Sequence, residues 1–243
     1  MLSVIIPTLN EADALPRTIP HTIRAADGVP VEIIISDCGS TDGTERVAAD
    51  LGVTCCQGAI HRADALTRGA TRASGQTLLF LHADTLLPGG FAGRIERALR
   101  HPDVVGGAFE FEFSPQHDDR GMNHLTLMLV TVCNRIRYRW TRNYYGDQAI
   151  FVRRSVFDRL GGFPQTPLLE DLRFARAMNR LGRTAILSPA VRTSPRRFIE
   201  NGVLRQLARD TLILACESFS ICPAWLWQGY NHFNRRRDLG VAL

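Results

Sequence analysis

The sequence contains no lysine, so arginine supplies all 29 of its basic residues. This absence excludes a Schiff-base lysine and the phosphate-binding lysine of a P-loop. Helix-turn-helix, zinc-finger and RNA-binding signatures are also missing, and the arginines are scattered rather than arranged in a stripe. We therefore expect no nucleic-acid partner. The base composition of the genome explains most of the arginines, although their planar guanidinium groups are well suited to binding diphosphates.

Long apolar runs and paired cysteines are missing as well. The longest apolar run, 125–133, contains two threonines and is shorter than the roughly 18 residues that span a bilayer. The six cysteines show no paired C-x-x-C spacing, and the first predicted strand begins at Ser3, which leaves no room for a cleaved leader. These features predict reduced thiols and a cytoplasmic protein, peripheral to the inner face of the membrane if its C-terminal part contacts lipid.

Short apolar runs alternate with helical segments through the first hundred residues. The runs that predict buried parallel strands are 3–7, 31–36 and 78–81. The segments that predict helices between and after them are 12–26, 44–51, 62–73 and 90–100. This alternation predicts a right-handed, doubly wound parallel sheet. Further along, the alternating residues of 104–113 predict a strand that is antiparallel to its neighbour.

Carboxylates follow two of these strands and begin a later predicted helix. Asp37 opens the turn 37–44, Asp84 closes the segment 80–84, and Glu170-Asp171 begins a helix. In open α/β sheets, ligands bind beyond the carboxyl ends of the strands, where we expect these side chains to gather. One carboxylate could hold a ribose or base, another a divalent cation on a diphosphate, and a third could accept a proton. This combination suits the transfer of a group from a nucleotide diphosphate.

The order of these motifs resembles that of the glycosyltransferase family 2 enzymes. The segments that carry the resemblance are 3–12, 37–44, 62–69, 80–84, 146–148 and 170–171. They cover about residues 1–200, and the likeness is greatest to small bacterial members without transmembrane helices. The resemblance implies an α/β protein with the GT-A fold, in which helices flank a Rossmann-like, mostly parallel sheet. It also implies transfer from a nucleotide-sugar with inversion of the anomeric centre.

The resemblance predicts a glycosyltransferase domain at 1–198, with a nucleotide-sugar-binding half at 1–100 and an acceptor half at 101–198. Residues 199–243 are predicted to form an amphipathic helical extension. Among its aromatic residues are Trp225, Trp227 and Tyr230. They could contact a membrane surface, but packing on the domain or on a second subunit of a homodimer is favoured, because aromatic stripes usually belong to a core.

The resemblance implies that seven residues contact the nucleotide. They are Pro7, Thr8, Asn10, Glu11, Asp37, Arg62 and Gly69. Several have a structural alternative, since Asn10 could cap the next helix and Asp37 could simply form a turn. Asp42 is expected to stabilise that same turn. Gly69 would allow close approach to a ligand, or it would relieve helix packing.

A divalent cation, Mg²⁺ or Mn²⁺, is implied at Asp84, where it would bridge the donor phosphates. The family usually carries an aspartate two residues earlier, and this sequence has His82 there. Imidazole tolerates Mn²⁺ better than Mg²⁺, so His82 could ligate the cation. It could equally hydrogen-bond the ribose.

Asp171 is the implied general base, which would take the proton of the acceptor hydroxyl. Glu170 is expected to support the loop or the acceptor. The residues implied on the acceptor and diphosphate side are Asp147, Gln148, Arg196 and Arg197. The arginine pair stands where processive relatives carry a Gln-x-x-Arg-Trp motif, which this sequence lacks. Transfer of a single sugar is therefore expected.

Two other functions stay open at this point. A nucleotidyltransferase would share the sheet and the metal carboxylate, but it usually has a Gly-rich basic loop where this chain has 7–11. A non-catalytic nucleotide-sugar-binding module would not need both Asp84 and Asp171. A dehydrogenase or methyltransferase is disfavoured, because no Gly-x-Gly-x-x-Gly follows an early strand. Family frequency favours a UDP-sugar donor, and the hydroxyl acceptor is unknown.

Overall fold

The computed structural model describes residues 1–114, 122–166 and 168–218. The chain divides into two compact units. The first comprises residues 1–114 and 131–194, and the second comprises residues 115–130 and 195–243. The division at residue 198, and the two halves 1–100 and 101–198, stay predictions.

Eight strands form one sheet. They are β1 Leu2–Thr8, β2 Val31–Asp37, β3 Thr54–Cys56, β4 Thr77–Phe80, β5 Thr85–Leu86, β6 Val104–Phe113, β7 Ile150–Arg153 and β8 Arg183–Thr193. The helices of the described ranges are α1 Leu15–Ala25, α2 Thr44–Asp50, α3 Arg62–Arg72, α4 Phe91–Leu99, α5 Met122–Thr141, α6 Arg154–Leu160, α7 Glu170–Leu181, α8 Arg196–Asn201 and α9 Val203–Ser218. A 3₁₀ turn, Gly146–Gln148, precedes β7.

The strand order is β3-β2-β1-β4-β7-β6-β8-β5. β1 pairs in parallel with β2 and β4, and β2 pairs in parallel with β3, as the alternating pattern predicted. β7 runs antiparallel to β4 and β6, whereas β6 is parallel to β8. The predicted antiparallel pairing of 104–113 is therefore confirmed on one side of that strand only. The carboxyl ends of β1, β2 and β4 meet at one edge of the sheet.

Helix α3 lies directly on the parallel strands. Its buried residues Ala63, Leu66 and Ala70 recur at helical spacing and face the sheet. A Cβ at Gly69 would lie 2.5 Å from Cγ2 of Ile5, in the middle of β1. The packing alternative for Gly69 is thus the one that the structure supports.

An aromatic cluster joins the end of β4 to helices α6 and α7. The ring of Phe163 stacks on Phe174 at 4.3 Å between centroids and meets Phe80 edge-on at 4.7 Å. Phe157 completes the cluster. Such pairs contribute roughly 0.5–1.5 kcal/mol beyond the area they bury. They fix the start of α7 close to the loop that follows β4.

In the second unit, α9 buries Val203, Gln206 and Ile213, while Leu212 is exposed. The predicted aromatic residues Trp225, Trp227 and Tyr230 lie outside the described residues. Across 1–114, 122–166 and 168–218, no helix combines the length and the apolar character that a membrane crossing demands.

Candidate active site

The loops that follow β1 and β2 are joined by hydrogen bonds. The backbone N–H of Asn10 donates to Oγ of Ser40 at 2.8 Å, and the N–H of Thr41 donates to Oδ1 of Asn10 at 2.8 Å. Asn10 therefore does not cap α1, whose N-cap is Ala14 without a side-chain hydrogen bond. The N–H of Glu11 donates to Oγ1 of Thr44. The two loops form one surface at the edge of the sheet.

The carboxylate of Asp37 organises this surface. It is buried, and it lies beside Thr8 in the register of β1 with β2. Its Oδ1 accepts from the hydroxyls of Thr8 and Ser40, and its Oδ2 accepts from the backbone N–H groups of Gly39 and Ser40. A carboxylate has about four lone-pair sites. A ribose or base could bind Asp37 only by exchanging with one of these donors.

Asp42 stabilises the same turn, as predicted. It accepts from the N–H and hydroxyl of Thr44 and from the N–H of Ala12. Burial acts to raise the pKa of Asp42, but the hydrogen bonds from Thr44 and Ala12 together leave that pKa below its ordinary value. The negative charge on Asp42 is thus held at neutral pH.

Cys38 is unsuited to nucleophilic chemistry. Burial, and then the adjacent carboxylate of Asp37, raise the pKa of its thiol to about 12. A thiol attacks as its thiolate, which is scarce under these conditions.

Arg62, the first residue of α3, contacts two other candidate residues. Its Nη1 lies 3.0 Å from Oε1 of Glu170, and its Nη2 donates to Nε2 of His82. The side chain of Arg62 is 40% exposed, whereas that of Glu170 is only 7% exposed. Burial raises the pKa of Glu170; the Arg62 guanidinium opposes this rise, and the neighbouring Asp171 adds to it. Arg62 is therefore the counter-charge of a buried carboxylate.

Asp171, at the start of α7, is held by two backbone groups. Its Oδ2 accepts from the N–H of Gly146 at 2.6 Å, and its Oδ1 accepts from the N–H of Leu172 at 2.7 Å. The side chain is buried. These bonds fix the direction of the carboxylate and leave further lone pairs on both oxygens.

Gly146 is the point at which the candidate residues converge. A Cβ there would lie 2.6 Å from Nε2 of His82 and 3.2 Å from Oδ2 of Asp171, and it would be nearer still to Nη2 of Arg62. The crowding explains why this position carries no side chain. The structure thus brings together the predicted residues 62, 82, 146, 170 and 171.

Asp84 lies half-buried in the loop between β4 and β5. In the described ranges, no three His, Cys, Asp or Glu side chains gather into a metal cluster. Mg²⁺ and Mn²⁺ in nucleotide sites use one or two carboxylates together with substrate phosphates, so a single Asp84 fits such a cation. Nε2 of His82 faces the cationic guanidinium of Arg62, which would have to leave before that nitrogen could bind a metal. The structure therefore does not support His82 as a ligand through Nε2.

Asp147 and Gln148, two of the residues predicted on the acceptor side, both lie in the 3₁₀ turn. Gln148 is buried, its Nε2 donates to the carbonyl of Phe109, and its Oε1 accepts from the N–H of Tyr145. Its amide therefore holds the 3₁₀ turn together and is engaged with protein. Asp147 is half-buried in the same turn. A contact of either residue with an acceptor stays a prediction.

Arg196 and Arg197 begin α8 in the second unit. The side chain of Arg197 lies outside those that the structure describes. Their predicted role at the diphosphate stays a prediction.

Tyr145 is a neighbour of the site that the sequence analysis missed. The guanidinium of Arg137 lies 4.0 Å from the centre of its ring. Burial raises the pKa of its phenol, Arg137 opposes that rise, and Asp171 and Asp147 reinforce it. The tyrosine pair immediately before Gly146 was the available signal.

The sequence of this chain is similar to those of known glycosyltransferases. The sequence model described as glycosyl transferase family 2 matches residues 3–161. PGL/p-HBAD biosynthesis glycosyltransferases of Mycobacterium bovis and Mycobacterium tuberculosis are 32% identical to this chain over 183 aligned positions, and the match covers 67% of this chain. The chain spans 63% of the length of these relatives.

Two solved structures resemble the chain at low sequence identity. A mannosyltransferase from Pyrobaculum calidifontis, in complex with GDP-Man and Mn²⁺, has a TM-score of 0.60 and 23% identity, covering 79% of this chain and 56% of that one. Glucosyl-3-phosphoglycerate synthase from Mycobacterium tuberculosis, in complex with Mn²⁺, UDP and glucosyl-3-phosphoglycerate, has a TM-score of 0.60 and 18% identity, covering 92% of this chain and 81% of that one. These likenesses confirm the predicted GT-A fold.

Proposed function

Because the chain belongs to glycosyl transferase family 2, we propose that it transfers a single sugar from a nucleoside diphosphate sugar to an acceptor hydroxyl, with inversion. One observation carries the proposal: the carboxylate of Asp171, the imidazole of His82 and the guanidinium of Arg62 all approach Gly146. A proton-accepting carboxylate therefore lies against the loop that carries Asp84. The sugar donor and the acceptor hydroxyl could therefore be brought together beside Gly146.

The donor half of the proposal rests on the surface formed after β1 and β2. Nucleotides bind beyond the carboxyl ends of parallel strands in sheets of this kind. Here that edge offers Thr8, Asn10 and Asp37 in one hydrogen-bonded arrangement. We favour a UDP-sugar from family frequency, with a GDP-sugar as the next candidate because the mannosyltransferase resembled by this chain holds GDP-Man.

Asp171 would act as the general base. An acceptor hydroxyl that reaches either carboxylate oxygen would give up its proton there as its oxygen bonds to the anomeric carbon. The bond between that carbon and the diphosphate oxygen would break at the same time, and its electron pair would leave with the nucleoside diphosphate. Such a base typically contributes ~10²–10⁴-fold to the rate. The hydrogen bonds from Gly146 and Leu172 keep the carboxylate in one orientation, so this side chain loses less conformational entropy when the substrate binds.

Glu170 and Arg62 would position that base. Glu170 precedes Asp171 in the first turn of α7, and its ion pair with Arg62 ties this turn to α3. Arg62 also contacts His82, so the same guanidinium links the base-bearing turn to the loop after β4. Neither residue is assigned a proton-transfer step.

Asp84 is the residue that we propose for binding Mg²⁺ or Mn²⁺. A divalent cation at a diphosphate neutralises the charge that develops on the leaving nucleotide. Both solved structures compared above contain Mn²⁺, which makes Mn²⁺ the first cation to test.

The test begins with thermal-shift measurements on the full chain, with a panel of UDP-, GDP- and dTDP-sugars in the presence of Mn²⁺. The sugar-nucleotide that stabilises the protein is then incubated with candidate acceptors, and release of the nucleoside diphosphate is followed. We expect stabilisation by one nucleotide class and release of its diphosphate. A chain that binds a sugar-nucleotide but never releases diphosphate with any acceptor or with water would be a binding module, and the transferase proposal would fail.

A further inference from the structure

The part of α5 that belongs to the first unit, residues 131–141, turns its apolar side chains outward. Val132 is 51% exposed, Ile136 is 57% exposed and Trp140 is 87% exposed. Tyr138 on the same helix is fully buried. A surface helix normally buries its apolar stripe. This segment does the opposite.

Helical geometry makes the three exposed residues one stripe. Residues four apart are neighbours on a helix surface, and each residue turns the helix by about 100°. Val132, Ile136 and Trp140 therefore follow one another along one side, and Tyr138 points to the opposite side. We name the stripe of residues 132, 136 and 140 the outer α5 face.

Arginines border the outer α5 face on both sides. Arg135 and Arg139 lie along one border, and Arg137 lies along the other, where it stacks on Tyr145. Both guanidinium groups of the first border share a single carboxylate. Arg139 is bonded to Oε1 of Glu110, and Nη2 of Arg135 lies 3.7 Å from Oε2.

Within the described residues, Glu110 is the one carboxylate in ion pairs with these arginines, and a single carboxylate cannot neutralise three guanidinium groups, so the rim of this face is positive. The side chains of Arg135 and Arg139 are 42% and 58% exposed, so both reach solvent despite their contact with Glu110. A guanidinium has five N–H donors. Each can therefore contact an anion from outside while it keeps its contact with the carboxylate.

We propose that the outer α5 face docks on an anionic lipid bilayer. The apolar stripe would enter the boundary between headgroups and acyl chains, and the arginines on both borders would contact lipid phosphates. Trp140 suits this boundary because its ring has an apolar body and a polar N–H. A second copy of the chain fits less well, because a two-fold contact through this face would place two positive rims against each other. The inference does not depend on the transferase proposal, since none of the residues on this face or its borders has a role in that proposal.

The first test is co-sedimentation of the full chain with vesicles. We expect it to sediment with vesicles of phosphatidylcholine and phosphatidylglycerol in equal parts, and to stay in the supernatant with phosphatidylcholine alone. The triple variant Val132→Ser, Ile136→Ser, Trp140→Ser should bind the anionic vesicles at least about tenfold more weakly, since each change removes apolar area from the bilayer. Ile23→Ser is the matched control, because Ile23 is 53% exposed on α1, outside the stripe, and should have no effect.

A second measurement reports on Trp140 without altering the face. The chain has three tryptophans, so the variant Trp225→Phe, Trp227→Phe leaves Trp140 alone. Its emission should shift to shorter wavelength with anionic vesicles and be quenched by brominated lipid. Unchanged emission would overturn the proposal. So would a triple variant that binds vesicles as the wild type does, or a lipid-free dimer that the triple variant converts to monomer.

Discussion

Arg62 and Glu170 join the start of α3 to the start of α7 through an ion pair of 3.0 Å. Glu170 is almost fully buried, and its counter-ion approaches from the solvent side. Because a buried carboxylate without a partner is costly, this pair ties the turn that carries Asp171 to the rest of the site.

Arg62→Met should lower the free energy of unfolding, because it leaves Glu170 buried without its counter-charge. Breaking a buried pair costs roughly 3–5 kcal/mol, but Arg62 is 40% exposed and solvent screening reduces the loss to about 1–2 kcal/mol. Urea titration measures it. The matched control is Arg68→Met. It removes an exposed ion pair with Asp64 and should lower the free energy of unfolding by only about 0.3–0.5 kcal/mol. Equal effects of the two changes would contradict the prediction.

Glu170→Gln should change how stability depends on pH. The folded state raises the pKa of Glu170 above its ordinary value of 4.5, mainly through burial, so the folded protein binds this proton more tightly than the unfolded chain. Glu170 therefore contributes most to stability below pH 4.5, and its contribution declines as the pH rises from 4.5 towards its pKa in the folded protein. Urea titrations across this range should show wild type losing stability relative to Glu170→Gln. If the difference in unfolding free energy between wild type and Glu170→Gln stayed constant with pH, the prediction would be wrong.

Gly146→Ala should disturb the site because the added methyl group would overlap Arg62 and His82. Overpacking of this kind costs roughly 1–3 kcal/mol, and we expect transfer activity to fall further than stability does. Gly93→Ala is the control, since a Cβ at this α4 position has open space and should stabilise the helix by about 0.5–1 kcal/mol. Full activity in Gly146→Ala would show that the crowding is unimportant.

Asp171→Asn should abolish proton acceptance while it preserves most of the shape of the site. We expect kcat to fall by ~10²–10⁴-fold, with the Kd of the nucleotide nearly unchanged. Transfer kinetics and calorimetry measure the two quantities separately. A parallel loss of nucleotide binding would assign Asp171 to the donor and remove it as the base.

Asp84→Ala should weaken Mn²⁺-dependent nucleotide binding, because it removes the proposed carboxylate ligand. His82→Asn should leave that dependence on Mn²⁺ largely intact, since Nε2 of His82 faces Arg62. Calorimetric titration of the nucleotide with and without Mn²⁺ distinguishes the two variants. A stronger effect from His82→Asn than from Asp84→Ala would restore His82 as the ligand.

The sequence predicted the scaffold well because its signals are local. The apolar run before Asp37 is short and rich in β-branched isoleucine, as is typical of a buried strand, and the spacing of Ala63, Leu66 and Ala70 is that of a helix face. Parallel pairing then places the carboxyl ends of the strands at one edge, so the position of Asp37 and of the loop that carries Asp84 at that edge follows from topology. In these segments, long-range contacts do not override the local preference for strand or helix.

The contacts inside the site were not predictable in the same way. Arg62 reaches both Glu170 and His82 because of where α3 lies on the sheet, and residue spacing along the chain does not encode that distance. The pairing of Gln148 with Phe109 also depends on how the 3₁₀ turn packs on β6. The sequence also leaves a helix cap open for Asn10, but its side chain accepts a hydrogen bond from the loop after β2, which a single segment cannot reveal.

The outward stripe on α5 has a practical consequence. Among the five cysteines in the described ranges, Cys133 is the exposed one, and it follows Val132 directly on this helix. Because the chain also has no lysine, amine-reactive dyes cannot modify any side chain as they would in most proteins. Among the thiols of the described ranges, a maleimide probe would therefore react first at Cys133, beside the stripe, and the unmodified protein already carries a reporter position for whatever approaches that surface.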